Sequence, residues 1–560
     1  MNAGGGTHLW ALVAREYWRR FRRRLRTSPI HRFRYAGRTP ERVLLAPPDL
    51  RHADPRIATQ IYHGVFPLCG RVVEAGGVSP FLLDVSELGW RKSLHGFRWL
   101  RHMRAAGTDL AAANARALVS EWITSHGGRI DGIAWEPATT AKRIIAWLQH
   151  STVVLQGADF RFYRAFLRSL ALQIRYLRSM AREMPPGEGR LRARVALAYA
   201  ALSLPAPPSA LRHATQALCE ELDKQILPDG GHVSRNPMAL MELLADLLPL
   251  RQTFASQAEA PPPALLGAID RMLPALRFFR MGDGGIARFN GMGVTIRERL
   301  AAILRHDDAG GAPLLHAPHS GYERLAMGST TVVADTGRPP PPDLAGDAHA
   351  GCLSFEMSSG RHLMIVNAGV DTFGASEFRP LGRATAAHST ATLGDTSSAK
   401  FHHTQKVNEL IGAPLLGGPQ NVPVERSDTP ATQAFVARHD GYAQTFGLVH
   451  ERRMILSENG RVLDGFDRFP AVSRNAGAPV MIRFHLHPDV HVARHADSRI
   501  LITLQSGDTW AFDAPPDLTR IEDSIFFAAQ GGPRRTRQIV LAFEVPRISE
   551  VGWRFSKTER

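Results

Sequence analysis

Cysteine is scarce in this sequence. Three residues, Cys69, Cys219 and Cys352, are spread over 560 positions. Their number is odd, and none of them stands in a CxxC or Cys/His spacing of the kind that binds zinc. The sequence therefore predicts neither a disulfide framework nor a structural zinc site.

Long apolar runs are also missing. No stretch of about 18 apolar residues occurs, so no membrane-spanning helix is expected. The N-terminus lacks the order of a secretory signal, because its short apolar run at 9–14 precedes the basic residues. This pattern predicts a cytoplasmic or inner-membrane-associated protein. The segment from Arg15 to Arg26 is expected to be a basic helix, either a solvated arginine-rich edge or an amphipathic helix on anionic lipid.

Acidic residues are outnumbered. The chain has 52 Asp and Glu against 68 Lys and Arg, a formal charge of +16, and arginine far outnumbers lysine. Such a surface attracts polyanions, namely nucleic acid, anionic lipid or acidic glycan. The planar guanidinium suits carboxylate and sulfate groups because it bonds two oxygens at once. Nucleic acid is not favoured, since no helix-turn-helix, RNP or zinc-finger pattern accompanies the charge.

The sequence has the length and composition for more than one hydrophobic core, with 44% hydrophobic residues in 560. Apolar residues recur at three- and four-residue spacing in 160–182, and similar helical patterns continue to about residue 279. After about residue 309, short β-like runs alternate with turn residues, as in antiparallel sandwiches. The predicted division is a basic segment at 1–40, a helical domain at 41–308, a linker at 309–319 and a β domain at 320–560.

Three sequence blocks lie in order across this α-to-β transition. They are DGGHVSRNP at 229–237, SGYERLAMGSTTVVADTG at 320–337, and a pair running from AHAGCLSFEMSSGRHLMIVNAG at 348–369 to FRPLGRATAAHSTATL at 378–393. Together they resemble the heparinase II/III-like family of polysaccharide lyases, over most of the chain from about Leu94 onward. The resemblance implies a multidomain fold, an N-terminal all-α (α/α) toroid followed by a C-terminal antiparallel β-sandwich.

The resemblance also implies an activity. A lyase of this kind cleaves an acidic, uronate-containing polysaccharide such as a glycosaminoglycan by β-elimination, and relatives work in the periplasm or cell envelope. A base removes the C5 proton beside the carboxylate, and an acid protonates the leaving oxygen on C4. Because negative charge builds up on the carboxylate, the site needs hydrogen-bond donors that neutralise it.

Three candidate catalytic residues follow from the resemblance, and a fourth follows from its position in the chain. Asn236 would donate its amide to the carboxylate, although an Asn before Pro also commonly caps the next helix. His349, in HAGCLSFE, would donate to the carboxylate or exchange protons with C5, or else be one more surface histidine. His388 would lie beside it. Tyr322 is the remaining candidate, because it follows the interdomain connection.

Characterised relatives place a catalytic tyrosine late in the helical domain. The matching region, 280–293, contains no tyrosine, and Phe289 and Asn290 stand roughly at its place. The alternative function is therefore a non-catalytic member of the family that binds acidic glycan or associates with the cell envelope. A glycosidase is disfavoured, since nothing in the sequence pairs the carboxylates of Glu356, Asp371 and Glu377.

Further polar side chains near these blocks are candidates for substrate binding: His232, Arg235, Arg288, Asn290, Arg324 and Arg383. For each arginine, a surface ion pair is the alternative. No cofactor is expected. A divalent metal near His388 is not favoured, because Gly351 and Asn367 stand where metal-binding relatives have a histidine and an acid. His485 and His487 are interpreted as structural. The sequence leaves the oligomeric state open.

Overall fold

A computed structural model describes residues 3–28, 33–307, 310–371, 378–402, 404–495 and 499–558. The part before residue 308 is mainly helical. Its α-helices are α1 (Ala3–Thr27), α2 (Pro55–Tyr62), α3 (Leu88–Gly96), α4 (Leu100–Ala106), α5 (Asp109–His126), α6 (Pro137–Gln149), α7 (Ser151–Leu155), α8 (Phe160–Met180), α9 (Glu188–Ser203), α10 (Pro208–Gln225), α11 (Pro237–Ser256), α12 (Pro263–Phe278) and α13 (Arg297–Leu304).

Local signals set the ends of these helices. Side chains cap α5 and α8, where Thr108 accepts a hydrogen bond from the Ala111 amide at 3.1 Å and Asp159 accepts one from the Phe162 amide at 2.7 Å. Proline begins α6, α10, α11 and α12, where its fixed φ suits the first turn and its missing N–H is not needed. The predicted helical periodicity is confirmed.

One hairpin interrupts the region that the sequence predicts as all helical. Strands β1 (Val65–Leu68) and β2 (Arg71–Glu74) pair antiparallel around Cys69 and Gly70, both with positive φ. Two consecutive residues with positive φ are the requirement of a type I′ hairpin turn. The four-residue strands are too short to give a clear alternating pattern, which is why the sequence does not reveal them.

The rest of the chain is dominated by antiparallel strands. They are β3 (His316–Ala317), β4 (Tyr322–Met327), β5 (Thr330–Asp335), β6 (Phe355–Ser359), β7 (His362–Val366), β8 (Ala391–Leu393), β9 (Lys400–Phe401), β10 (Leu415–Gly417), β11 (Val424–Asp428), β12 (Gln433–His439), β13 (His450–Ser457), β14 (Val462–Arg468), β15 (Ala478–Leu486), β16 (His491–Arg494), β17 (Ile500–Thr503), β18 (Thr509–Asp513), β19 (Thr519–Phe526), β20 (Arg534–Val545) and β21 (Glu550–Lys557). Short helices α14 (Arg379–Arg383), α15 (Gln405–Ile411) and α16 (Ala443–Phe446) lie between them.

Two sheets form the β-sandwich. The nine-stranded sheet has the order β19-β20-β15-β7-β6-β5-β4-β3, with β8 also paired to β15, and the eight-stranded sheet has the order β11-β12-β13-β14-β21-β18-β17-β16. One apolar core, which includes Phe355, Phe484 and Trp553, lies between them. The predicted order of a helical half followed by an antiparallel sandwich is confirmed.

The nine-stranded sheet is covered on both faces. Its second face packs on the helical part, since Tyr322, Val333 and Val366 belong to the same core as Phe279 and Phe289. All five residues of β6 are therefore buried, whereas β13 in the other sheet alternates between buried and more exposed positions. The molecule thus has three layers: helices, inner sheet and outer sheet.

No helix among the described residues has the length and apolarity needed to cross a membrane.

Candidate functional site

The candidate site forms where the loop before α11, the segment 286–293 and the first loops of the sandwich meet. The loop at 227–236 is closed by an antiparallel bridge between Ile226 and His232. Gly230 has φ +82°, and a Cβ there would lie 1.9 Å from the Arg271 carbonyl oxygen, so only glycine fits. This tight turn brings Asn236 to the junction between the helices and the sheets.

Asn236 has two roles on two different atoms. Its Oδ1 accepts a hydrogen bond from the Met238 amide at 2.9 Å and so caps α11. Its Nδ2 makes no hydrogen bond within the described ranges and lies against Gly291, whose Cβ position would be 2.9 Å from it. The helix cap and a free amide donor are therefore compatible, as the side chain is at the edge of burial with 9% exposure.

His349 and His388 form a buried pair, with 3.0 Å between His349 Nδ1 and His388 Nε2. His388 Nδ1 lies 2.7 Å from the Ala384 carbonyl oxygen, which can only accept, so this nitrogen carries the proton. His388 Nε2 then accepts from His349 Nδ1–H, and His349 Nε2 accepts from the Gly291 amide at 3.0 Å. The network thus fixes both tautomers as neutral imidazoles.

Burial explains why both rings stay neutral. Desolvation lowers the pKa of His388 to about 4 and holds the pKa of His349 well below its usual range, where His388 and nearby Arg383 lower it further. Both nitrogens of each ring are hydrogen-bonded inside the protein. A proton can reach His349 only if the Gly291 amide moves away from Nε2.

Asn290 holds His349 in place. Its Oδ1 accepts from the His349 amide at 3.0 Å, while its Nδ2 donates to the Tyr322 hydroxyl at 2.7 Å and to Asp335 at 3.1 Å. The side chain is buried, and its backbone has φ +47°. Because both amide hydrogens are used within the protein, the predicted contact of Asn290 with substrate is replaced by a positioning role.

Tyr322, a candidate because it follows the interdomain connection, is fully buried. Its hydroxyl donates to the Arg235 carbonyl oxygen at 2.6 Å, and its ring packs edge-on against Phe279 with centroids 4.8 Å apart. Burial raises the pKa of the Tyr322 phenol. In this packing the Tyr322 hydroxyl is closed off from solvent and bonded within the protein, as expected of a structural residue.

Arg235 clamps the helical part to the sandwich instead of binding substrate. Its guanidinium donates to the carbonyl oxygens of residues 320, 321, 337 and 338 at 2.7 to 3.2 Å, and to Asp335 at 2.6 Å. All three nitrogens are thereby occupied. Asp335 also accepts from Asn290, which makes it the centre of the junction. Sequence reasoning missed Asp335, because a single acid at a strand end carries no signal of its own.

The other predicted substrate-binding residues are buried and bonded within the protein. Arg288 pairs with Glu356 at 3.4 Å, Arg324 donates to the carbonyl oxygens of residues 278 and 280, and Arg383 donates to those of residues 345, 348 and 413. His232 bonds Ser234 at 2.7 Å and Gln225 at 2.9 Å. These side chains support loops around the site. They are neither glycan ligands at a surface nor surface ion pairs.

The residues near His388 do not fit a divalent metal. Gly351 lies so close that a Cβ would be 2.7 Å from the His388 ring, and Asn367 uses its amide to bond the Ser389 amide and the Arg288 carbonyl oxygen. Within the described part of the chain, no group of three or more His, Cys, Asp or Glu has a metal-holding arrangement. His485 bonds Ser524 and the Ala386 carbonyl oxygen.

Asp347 and Arg379 form an exposed ion pair at the rim of the site. A Cβ on Gly291 would lie 2.8 Å from the Asp347 Cβ, so this pair adjoins the loop that also contacts Asn236. Glu356, considered for hydrolysis, is fully buried and accepts from the backbone amides of Arg288 and Asn367. Glu377 lies outside the described residues. The open part of the site therefore consists of the Asn236 amide and this rim.

Comparisons with known proteins agree with this architecture. Residues 309–554 match the family model described as "Heparinase II/III-like, C-terminal". FtsZ-localized protein C of Caulobacter vibrioides is 31% identical over 570 aligned positions, covering 99% of this chain and 97% of that protein.

Solved structures share the fold at low sequence identity. Heparinase III superposes with a TM-score of 0.69 at 14% identity, covering 94% of this chain and 88% of that structure. A mutant of heparan sulfate lyase HepC from Pedobacter heparinus gives a TM-score of 0.61 at 16% identity, covering 99% and 88%. The predicted toroid followed by a β-sandwich is thus confirmed.

Proposed function

The chain belongs to the heparinase II/III-like family of polysaccharide lyases, and from this we propose that it is a member that binds an acidic, uronate-containing polysaccharide without cleaving it. The observation that carries the proposal is that the three candidate proton-transfer groups, His349, His388 and Tyr322, are all hydrogen-bonded within the protein. Both nitrogens of His349 are hydrogen-bonded, and the Tyr322 hydroxyl is sealed in the core. What remains open is a donor, the Asn236 amide, which suits a carboxylate.

Binding an anion and cleaving the bond beside it require different groups. Elimination requires a base for the C5 proton and an acid for the C4 oxygen, both within about 3 Å of those atoms. A neutral amide can only stabilise the charge of the carboxylate. The Asn236 site is therefore matched to recognition of a uronate.

Lyase activity is the second candidate, and the Asn236–His349 arrangement is the observation in its favour. If substrate displaces the Gly291 amide, His349 Nε2 becomes a free base. It would take the C5 proton, the C–H electrons would form the C4=C5 double bond, and the C4–O bond would break. The same imidazolium would then return its proton to the leaving oxygen. A single residue can do this only when both atoms lie on one face of the sugar.

One experiment separates the two candidates. The purified protein is incubated with heparan sulfate, hyaluronan, chondroitin, alginate and bacterial acidic exopolysaccharides, while absorbance of the unsaturated uronate and binding are both followed. We expect saturable, salt-sensitive binding without an absorbance rise, and weaker binding in Asn236→Ala. An absorbance rise that disappears in His349→Ala would establish the lyase instead. Neither binding nor cleavage of any of these polymers would refute both.

We also propose that α1 attaches the protein to an anionic membrane surface. The helix docks through its basic side: Arg15 pairs with Asp343 at 2.6 Å, and Arg22 and Arg26 pair with Glu183 at 3.1 and 2.6 Å. Its apolar stripe faces solvent, formed by Trp10, Tyr17, Trp18, Phe21 and Leu25. Their spacing places them on one helical face.

Such a stripe is unusual for a solvated helix, because large apolar side chains normally turn inward. Trp and Tyr favour the membrane interface, and the exposed Arg24 beside the stripe would meet lipid phosphates. The similarity to an FtsZ-localized protein supports placing this chain at the cell envelope together with FtsZ. Co-localisation of a fluorescent fusion with FtsZ would test the location.

A further inference from the structure

A cluster of charged side chains lies where α6, α9, α11 and α13 approach one another. We call it the arginine cluster. Its cations are Arg51, Arg98, Lys142, Arg192 and Arg299, and its carboxylates are Asp49, Glu188, Glu242 and Asp246. None of these residues belongs to the candidate site described above.

Two carboxylates serve most of the cations. Asp246 contacts Arg51 at 2.8 Å, Arg192 at 3.0 Å and Arg98 at 3.2 Å. Glu242 contacts Arg98 at 2.8 Å and also pairs with Arg299. The remaining acids lie at the edge, Asp49 beside Arg51 and Glu188 beside Arg192.

Lys142 has no such partner. Among the residues that the structure describes, no carboxylate lies within ion-pair distance of its ammonium, so the cluster contains more cations than carboxylates. Lys142 is half-buried on α6, where burial, together with Arg192 and Arg98, lowers the pKa of its ammonium to about 8 against the opposing effect of Glu188 and Glu242. An uncompensated cation in this position is unfavourable unless an anion joins it.

Unsatisfied donors point the same way. The Nε atoms of Arg51, Arg98 and Arg299 are buried and have no hydrogen-bond acceptor among the described residues. Buried N–H groups are nearly always paired, because leaving one unpaired costs about 1 to 3 kcal/mol. Two of these donors, those of Arg98 and Arg299, lie on the more exposed side of the cluster beside a surplus positive charge, which is the pattern expected of a binding site for an oxyanion.

The cluster is open to a ligand. The side chains of Arg98, Arg299 and Glu242 keep 18%, 13% and 16% of their exposure, while Arg51 and Asp246 behind them are sealed. Glu242 follows Asn236 by six residues on α11, which is a rise of about 9 Å along the helix. The Asn236 amide and the arginine cluster are therefore both positioned by α11.

We propose that the arginine cluster is a second anion site, which binds a carboxylate, sulfate or phosphate group through Arg98, Lys142 and Arg299. The group is supplied either by an acidic glycan or by a free inorganic oxyanion. The identification with a glycan rests on the proposed function, whereas the oxyanion chemistry does not.

The test is calorimetric titration of the full-length protein with sodium sulfate and with phosphate, at constant ionic strength set by chloride. Lys142→Gln and Arg299→Gln remove single cations, and Arg56→Gln, an exposed arginine outside the cluster, is the matched control. We expect saturable sulfate binding that weakens about tenfold or more in the two cluster variants, by analogy with charged hydrogen bonds, and does not change in Arg56→Gln. Equal effects in all three variants, or no saturable binding, would overturn the proposal.

Thermal unfolding shows whether a variant loses sulfate binding only because its fold is destabilised. Lys142→Gln removes a repelled charge, so without sulfate its Tm should equal or exceed that of the wild type, and it should lose the rise in Tm that sulfate gives the wild type. If Lys142→Gln instead has a lowered Tm and sulfate still raises that Tm as in the wild type, Lys142 has a structural role and the proposed anion site is contradicted.

Acidic oligosaccharides separate the two sources of the anion. If they displace sulfate and lose affinity in Lys142→Gln, the cluster is part of the glycan site. Sulfate binding without competition would assign the cluster to a free ion. Sulfate binding with no glycan binding at all would refute the proposed function and leave the second anion site intact. Glycan binding that Lys142→Gln does not change, without sulfate binding, would refute the second anion site and leave the proposed function intact.

Discussion

At the scale of single residues, the site is built from side chains that hold one another. Asn290 links His349, Tyr322 and Asp335 through three hydrogen bonds, and His388 fixes the tautomer of His349. Buried polar groups must find partners, and in this site nearly all of them find partners within the protein. Asn236 is the exception, because its two amide atoms face different ways.

Asn236 allows its two roles to be tested apart. Asn236→Ala removes the cap on α11 and should lower the free energy of unfolding by about 1 kcal/mol, together with loss of glycan binding. Asn236→Asp keeps an acceptor for the Met238 amide, so stability should be retained. Its carboxylate would repel the uronate, and binding should still be lost. Denaturant unfolding and glycan titration measure both. If Asn236→Asp still binds glycan, the Asn236 amide does not take part in glycan recognition.

The histidine pair predicts a dependence of stability on pH. The pKa of His388 is lowered from its model-compound value of 6.5 to about 4 by burial. Between these values the unfolded chain binds the proton and the folded protein does not, so stability falls as pH drops from 6.5 to 4. The loss attributable to His388 is about 3 kcal/mol. In His388→Gln, the decrease in unfolding free energy between pH 7 and 4 should be smaller by up to that amount. An unchanged decrease would mean that His388 is already charged in the folded protein.

At the scale of elements, α1 is oriented the opposite way to an ordinary surface helix. Its basic side faces the protein and its apolar side faces solvent. Its arginines reach Asp343, Glu183 and backbone carbonyl oxygens, including that of Gly132 at 3.3 Å, while its aromatic side chains face outward. Exposed ion pairs contribute little to stability. The helix is therefore held loosely by its basic side and presents an apolar stripe to a partner.

Co-sedimentation with vesicles tests this orientation. Vesicles of phosphatidylcholine with phosphatidylglycerol should bind the protein, and vesicles of phosphatidylcholine alone should bind it far less. Trp18→Ser with Phe21→Ser should reduce binding about tenfold, since two interfacial aromatics are lost. Phe160→Ser is the matched control, because Phe160 is an exposed aromatic on α8. Concentration-dependent self-association in place of vesicle binding would show that α1 packs against a second copy.

At the scale of the whole molecule, the inner sheet lies between the helices and the outer sheet, and Arg235 closes the junction. Its ion pair with Asp335 at 2.6 Å is buried and joins residues 100 positions apart. Burial of such a pair makes each partner dependent on the other, because removing one leaves an unpaired charge in the interior.

Arg235→Ala should therefore destabilise the protein strongly, by about 3 to 5 kcal/mol, and should separate the unfolding of the helical part from that of the sandwich. Calorimetry would show one transition in the wild type and two in the variant. Arg235→Lys keeps the charge but not the fork of donors, so its stability should lie between that of the wild type and that of Arg235→Ala. A single, unshifted transition in Arg235→Ala would show that the apolar contact between the layers suffices.

The order of the halves and most of their helices and strands could be predicted from the sequence, and the family resemblance implied that His388 lies beside His349. Periodicity and the order of the three blocks are local or linear properties, and they can be read without coordinates. The hairpin of β1 and β2 was not predicted, because strands of four residues are too short to show a clear alternation of apolar and polar residues.

The roles of Tyr322, Arg235 and Asn290, the outward stripe of α1 and the surplus charge of the arginine cluster become visible only in the folded protein. The hydrogen-bond partners of Arg235 lie 85 to 103 residues away, and those of Asn290 lie 32 to 59 residues away. Whether a polar side chain is free to bind a ligand or is hydrogen-bonded inside the protein depends on which distant groups pack against it. Satisfaction of buried polar groups is a property of the whole packing, and no local pattern in the sequence contains it.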